Sequence, residues 1–423
     1  MSVDDQHHAL PPGRERATLL TLGAVQFTHV LDYMIMMPLG AQLMEVFHIS
    51  PAQFTHLVAI YGVAAAVFGF AGGFVLDRFD RKRALLVLYA GFGISTFACG
   101  LAPTHHWLLA ARFAAGAFGG LAGSMVTAMV GDVIPPERRG RAMSFVMTSF
   151  AVASVLGVPA GLLLAAKFGW HAPFFMLGGC AAANLLLASL ALPHLRTAVH
   201  GHEPWRQMRE ILSHRVHLRA FAVGAVLVMA GGCLVPFIAP SMVANVGLTQ
   251  SQLAWAYGAG GLCSIVSMPI VGRLSDRVDK LHLLAWMSAA AIVVVLVLTR
   301  LGPAPLAVAC LVMAAFMVTM SSRFTPTMAM ITNAVAARYR GGFMSVNSAL
   351  QQAASGLGNV IAGFFVTQDA TGHLDGYPLL GYAAIGFFIL TVLLAAELRA
   401  HAPHVAAPGK ASATAAEPIE IAV

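Results

Sequence analysis

Long apolar runs joined by short polar segments dominate this chain, and no other feature restricts its fold as much. Runs of mainly apolar residues fall at roughly 17–44, 53–76, 83–102, 106–131, 140–165, 171–193, 217–243, 252–274, 281–301, 305–332, 341–366 and 378–398. A helix needs about 20 apolar residues to cross the hydrocarbon core of a bilayer. Lipid cannot satisfy exposed backbone N–H and C=O groups, so open-ended spanning segments must be helical. Of the 423 residues, 58% are hydrophobic and only 10% charged, with a mean hydropathy of +0.77. Soluble domains carry about a quarter charged residues, so this chain must meet lipid over most of its surface. The fold class predicted is an all-α integral membrane protein with 12 transmembrane helices. The first run starts near Ala17 and stays apolar too long for a signal peptide core, with no cleavage pattern after it, so it reads as a retained span.

The longest polar interruption, His194 to about Val216, contains Arg196, Arg206, Arg209 and Arg215 and divides the runs into two sets of six. The expected organisation is a cytoplasmic tail 1–16, a six-helix bundle 17–193, a linker 194–216, a second six-helix bundle 217–398 and a disordered cytoplasmic tail 399–423. Pro204 to Leu212 admits a short surface helix, although a solvated linker is the plainer reading.

A net charge of +7 invites a nucleic-acid partner, but the positions of the charges argue against it. The two termini and every second loop hold 21 of the 25 Lys and Arg; Lys167 and Arg300 lie on the other side, and Arg112 and Arg323 fall within spans. Lys and Arg near spans stay on the cytoplasmic side during insertion. Both termini and the linker are therefore expected in the cytoplasm, the chain in a bacterial inner membrane, and the basic pI owes nothing to nucleic acid. Cys99, Cys180, Cys233, Cys263 and Cys310 all lie in apolar runs without a CxxC pair, so neither a disulfide framework nor a metal site is expected.

The loop after the second run reads Gly73-Phe-Val-Leu-Asp77-Arg78-Phe-Asp80-Arg81; the loop after the eighth reads Gly272-Arg-Leu-Ser-Asp276-Arg277-Val-Asp279-Lys280. Both are GxxxDRxD followed by basic residues, at the same place in each half. Two matching copies point to an internally duplicated transporter. The glycine permits close helix approach, and the acid and arginine at a helix end suit a latch that breaks when the halves move. Gly73, Asp77, Arg78, Arg81, Gly272, Asp276 and Arg277 are the candidate latch residues.

These loops resemble the hallmark loop of the major facilitator superfamily, with Asp80 where that family usually has Gly. Three further segments are similar to the family's patterns: Arg112-Phe-Ala-Ala-Gly116-Ala-Phe-Gly119-Gly120, Asp132 to Ala142, and Gly169-Trp170-His-Ala-Pro-Phe174. Gly157-Val-Pro159-Ala-Gly161 partly matches an element associated with exporters, its Gly-Pro pair broken by Val158; read alone, these are helix-packing and bending residues. The resemblance covers residues 17–398. It implies two six-helix bundles around a midplane cavity, a monomer, and a drug:proton antiporter or sugar-exporter branch.

Charge in mid-membrane is costly and normally has a role. Asp32 is the one carboxylate near the centre of a span, and His29 precedes it by three residues on the same helical face. A buried carboxylate balanced between desolvation and a nearby cation can take up and release a proton. The family resemblance places the spans of Asp32 and Arg112 around one cavity, which makes Asp32, His29 and Arg112 the proton-coupling candidates; for Arg112 the alternative is snorkelling to headgroups. Tyr33, Met36, Arg323, Asn347 and Gln351 are the substrate-cavity candidates, with helix packing, leaflet anchoring or interhelical hydrogen bonding as their plainer uses. Methionines adapt to varied apolar ligands; copper binding lacks a compact Met/His cluster.

No nucleotide-binding loop or nucleophile elbow occurs, so neither ATP-driven transport nor familiar enzyme chemistry is expected, and no cofactor. The function expected is proton-coupled export of a small organic solute. Proton-driven uptake of a small anion or sugar, and a sensor that moves nothing, are the alternatives.

Overall fold

The computed structural model describes residues 12–75, 79–134, 136–192, 204–336, 339–369 and 372–407. The apolar runs have become helices α1 (Pro12–Ile35), α2 (Gly40–Phe47), α3 (Pro51–Val75), α4 (Arg81–Gly100), α5 (His105–Val133), α6 (Pro136–Val152), α7 (Val158–Phe168) and α8 (Ala172–Ala191) in the first half. The second half contains α10 (Arg215–Ala244), α11 (Gln250–Arg277), α12 (Lys280–Leu298), α13 (Leu306–Asn333), α14 (Arg340–Phe365) and α15 (Tyr377–His401), and the polar joint supplies α9 (Pro204–Ser213). Ten helical segments among the described residues are long and apolar enough to cross a membrane, or eleven if the bent pair α1–α2 counts as one. The protein is thus a multi-span membrane protein. The 26-residue α14 falls short on hydropathy because Asn347, Gln351, Gln352 and Asn359 interrupt its apolar sequence.

The run expected at 17–44 is not one straight span. It bends by 58° between α1 and α2. Pro38 lies at the break; it lacks an N–H and its ring clashes with the carbonyl four residues back. The expected span at 140–165 is likewise interrupted, by a π-helical turn at Ala153–Gly157 between α6 and α7. A two-residue hairpin, β1 (Thr367–Gln368) with β2 (Leu374–Asp375), closes the α14–α15 connection, an element the runs did not announce. We call the end of the molecule that carries it the hairpin end, and the other the tail end.

The second acid of each repeated loop starts the helix that follows it. Asp80 accepts from the Arg83 N–H at 2.9 Å, and Asp279 accepts from the Leu281 and His282 N–H groups at 3.0 and 3.2 Å. These are N-caps, each satisfying backbone donors that a helix start leaves open. The departure from the family's usual glycine at Asp80 therefore has a local reason.

The reading of 399–423 as a disordered tail is corrected for its first part. Helix α15 runs to His401, and a short turn, Pro403–Val405, folds back under the second half. Val405 and Ala406 are fully buried there, the Lys280 N–H donates to Ala406 O at 3.0 Å, and the Lys280 ammonium bonds Ala407 O. Composition rich in Ala and Pro hid this segment, yet its small residues fit closely against α12, α13 and α15. The linker helix α9 is also seated, through the buried Ile211.

Three apolar cores organise the molecule. At the tail end each half has its own: Leu22, Leu85, Phe92, Met129 and Val146 in the first, and Phe221, Leu284, Met330, Phe343 and Leu398 in the second. Toward the hairpin end one core joins both halves, with Met36, Leu43 and Phe54 meeting Leu234, Phe237 and Met242. Phe54 and Phe237 meet edge to face at 6.4 Å. The two halves are therefore sealed together at the hairpin end and separately cored at the tail end.

Candidate functional site

The charged centre of the first half forms where α1 meets α5. Arg112 Nη1 lies 2.9 Å from Asp32 Oδ2 and 3.3 Å from the Asp32 carbonyl, and neither side chain has exposed surface. The carbonyl contact follows from the break after Ile35, which leaves the last carbonyls of α1 short of helical partners. Arg112 thus answers both a carboxylate and a helix C-terminus, each favouring a cation. Asp32 Oδ1 and Arg112 Nε and Nη2 make no hydrogen bond, so the pair has unused capacity on both sides.

Helix α3 provides the floor. The Arg112 guanidinium lies 4.2 Å over the Tyr61 ring, and the Tyr61 hydroxyl is 2.8 Å from His29 Nδ1. The glycines that follow Arg112 on α5 explain this approach. A Cβ on Gly119 would come within 2.6 Å of His29 Nδ1 and 2.9 Å of the Tyr61 hydroxyl, and one on Gly116 would strike the Tyr61 backbone. These glycines set α5 directly on α3 so that Arg112 can reach across to α1. His29, Asp32, Tyr61 and Arg112 form one contiguous polar group. Further toward the tail end on α1, His29 and Gln26 are half-buried, while Thr28 is buried against Tyr89.

Tyr33 faces the other half. Its hydroxyl is 3.1 Å from Ser355 Oγ on α14, a polar contact between the two halves one residue from Asp32. The exporter-like element lies against the other flank of α1. A Cβ on Gly157 would meet Leu31 at 2.8 Å, and one on Gly161 would meet Ile35 at 2.6 Å. Pro159 stands opposite Gly258, and Val155 opposite Gly261, of α11, so this segment touches both α1 and the second half.

The remaining candidates scatter. Met36 is fully buried in the joint apolar core. Asn347 is buried with Oδ1 unpartnered, and Gln351 Nε2 lies 3.8 Å from Met328 Sδ; both crowd Gly224 of α10. Arg323 turns away from them toward α12 and α15, with Nε 3.0 Å from Ser288 Oγ and its guanidinium 3.8 Å over the Phe388 ring. In the latch region Arg81 Nε bonds Asp132 Oδ2 at 2.9 Å, tying α4 to the end of α5. The second-half tie is Arg399 to Asp279 at 3.0 Å, while Asp276 and Arg277 are exposed and Gly272 half-buried. Asp77 and Arg78 lie outside the described residues, as do the surroundings of Gly73.

Tyr61 and Ser355 were not singled out by sequence, and Asp132 and Asp279 appeared there only as parts of motifs, without a role of their own. A tyrosine in an apolar run looks like core, and only the i, i+4 glycine pattern of α5 hinted that something large must lie opposite it.

The family model for the Major Facilitator Superfamily matches residues 22–232 and again 220–421. The chain belongs to that superfamily. The double match agrees with the repeated loops, since each half carries one copy. Among superfamily members, the MFS-type transporter YceJ of Bacillus subtilis is 28% identical over 88% of this chain and 93% of its own length. A chloramphenicol efflux pump of Mycobacterium tuberculosis is 28% identical over 48% of this chain and 49% of the pump, so the likeness spans about half of each protein. A bacterial homologue of the lysosomal transporter Spinster has the same fold, with a TM-score of 0.76 over 94% of this chain and 99% of that one at 16% identity. The nucleoside transporter NupG superposes at 0.70 over 90% of this chain and 99% of its own. As a superfamily member the protein is a membrane transporter of small molecules, with efflux pumps among its relatives, and not an enzyme.

Proposed function

We propose that the protein is a proton-coupled exporter of a small organic solute, with Asp32 as the proton carrier. The observation that carries this reading is the fully buried Asp32–Arg112 pair. A protonated Asp32 no longer holds Arg112 by charge. The guanidinium then keeps only the Asp32 carbonyl and the Tyr61 face, and α1 and α5 are freer to separate. His29 lies on the tail-end side of the pair and relays the proton between Asp32 and Tyr61's surroundings. Solute binding favours one arrangement of the halves and proton binding the other, each by its difference in affinity between them.

In this reading the fold has twelve crossings. The bent pair α1–α2 counts as one, α6 and α7 as one, and α14 as the remaining span. Its polar face is tolerated because it packs against α3 and α10 and not against lipid. The asymmetry of Lys and Arg puts the tail end in the cytoplasm and the protein in the inner membrane. The separate tail-end cores then belong to a state open inward, with the joint core as its outer seal. Tyr33–Ser355 is the polar part of that seal, and it ties the outer closure to the residue beside the proton carrier.

The efflux pump among the relatives supports export, and its substrate is the first solute to try. The full chain is reconstituted in liposomes with an imposed pH gradient, and chloramphenicol and a panel of small solutes are followed together with lumenal pH. Export coupling predicts solute movement against proton flow. Solute moving with protons makes the protein an importer, and no movement of any solute under either gradient defeats the transport cycle proposed.

A further inference from the structure

The two halves treat a buried arginine differently. Arg112 has Asp32. Arg323, on α13, is 1% exposed and has no carboxylate near it among the described residues. The sequence makes this stronger: no Asp or Glu occurs between Ile211 and Ser275, between Leu281 and Gln368, or between Gly376 and Ala396. Every described acid of the second half therefore lies near a helix end or in a connection. An arginine cannot shed its proton to escape burial. A buried, uncompensated charge is the costliest arrangement a folded interior can hold.

What surrounds Arg323 is suited to an anion. Its Nε donates to Ser288 Oγ at 3.0 Å, leaving the Ser288 hydroxyl hydrogen to donate elsewhere. Its Nη1 finds only the weak acceptor Met320 Sδ at 3.9 Å, and its Nη2 is buried without any partner. Phe388 covers one face of the guanidinium at 3.8 Å, which fixes the plane and directs the open edge of the fork sideways. A guanidinium edge and a hydroxyl are both donors, and the local acceptors are the serine oxygen already used by Nε, a thioether and a π-face.

We propose that Arg323 and Ser288 form an anion-binding site between α12, α13 and α15, occupied by a halide or by the carboxylate of an organic solute. The external anion does for the second half what Asp32 does for the first. A halide occupant makes the site a stabilising one, independent of the coupling proposed above. A carboxylate occupant rests on the transport reading and makes acids part of the substrate range.

The test is thermal stability of the purified full-length protein at constant ionic strength. Sodium HEPES is the reference salt, replaced stepwise by sodium chloride or sodium benzoate. The wild type is expected to melt about 1.5 °C higher at ten times the half-saturating anion concentration. Arg323→Met should be insensitive to both anions, and in HEPES should melt at or above the wild type because an uncompensated charge has gone. Ser288→Ala keeps the charge and loses one donor, so its half-saturating concentration should rise roughly tenfold. A chloride response alone identifies the halide; a benzoate response stronger than that of chloride, with benzoate flux lost in Arg323→Met, identifies the carboxylate. A melting temperature indifferent to both anions, or a response that persists in Arg323→Met, overturns the site without touching the Asp32 proposal.

Discussion

Arg112 and Arg323 sit in corresponding halves of a duplicated transporter, both stacked on an aromatic ring and both buried, yet among the described residues only one has an acid beside it. Arg112 lies over Tyr61 and bonds Asp32; Arg323 lies over Phe388 and bonds a serine. The aromatic face solves the same packing problem twice, since a planar cation can stack where it cannot be hydrated. The counter-charge is where the halves part. In the first it is built into the chain and can be switched off by a proton. In the second no carboxylate among the described residues neutralises it. Duplication has supplied the scaffold in two copies and confined the titratable pair to one.

The sharpest way to break the comparison is to remove the cations one at a time. Arg112→Met leaves a carboxylate buried and unpaired, and should cost about 3–5 kcal/mol of stability, whereas Arg323→Met should be neutral or stabilising. Thermal melts of the two variants in sodium HEPES without chloride or benzoate decide it, and equal losses would erase the distinction. Giving the second half its own acid should then make it resemble the first. Ser288→Asp places a carboxylate beside Arg323 and should raise stability by about 1–3 kcal/mol while abolishing any response to added anion. Melts with and without chloride read both effects.

The approach of α5 to α3 offers a smaller lever. Gly119→Ala puts a methyl against His29 and Tyr61, and overpacking of this kind costs about 1–3 kcal/mol. It should lower coupled flux more than Gly386→Ala, which meets open space in the second half. The smallest effect is expected from Tyr33→Phe, which removes one hydrogen bond across the seam, worth about 1 kcal/mol. Cysteine cross-linking or labelling at the hairpin end should report a shift of a few-fold toward separation of the halves.

The charges were legible because an ionised side chain inside an apolar run has so few innocent explanations. Asp32, Arg112 and Arg323 stood out on that ground alone, and so did the division into halves, through the repeated GxxxDRxD loops. Their partners were not legible. Tyr61 and Ser355 are ordinary residues in apolar helices, and their roles arise from which helix faces which, a long-range fact that no local period encodes. Arg323 shows the limit most clearly: sequence marked it as buried and charged, but not that it turns to α12 and α15 and away from Asn347 and Gln351. Met36 lies in the joint apolar core, and sequence could not place it there because a thioether suits a core as well as a pocket. The break at Pro38 could have been read, and the turn at Pro403–Val405 could not, because Ala-rich tails look alike whether seated or free.

The most direct test of the central claim is proton movement coupled to solute flux in liposomes containing either wild type or Asp32→Asn. The amide keeps the shape of the acid and one acceptor oxygen for Arg112 but cannot carry a proton. The variant is expected to lose gradient-driven flux and accompanying proton movement while still exchanging solute for solute down its own gradient. Coupled flux at the wild-type rate in Asp32→Asn would contradict the account.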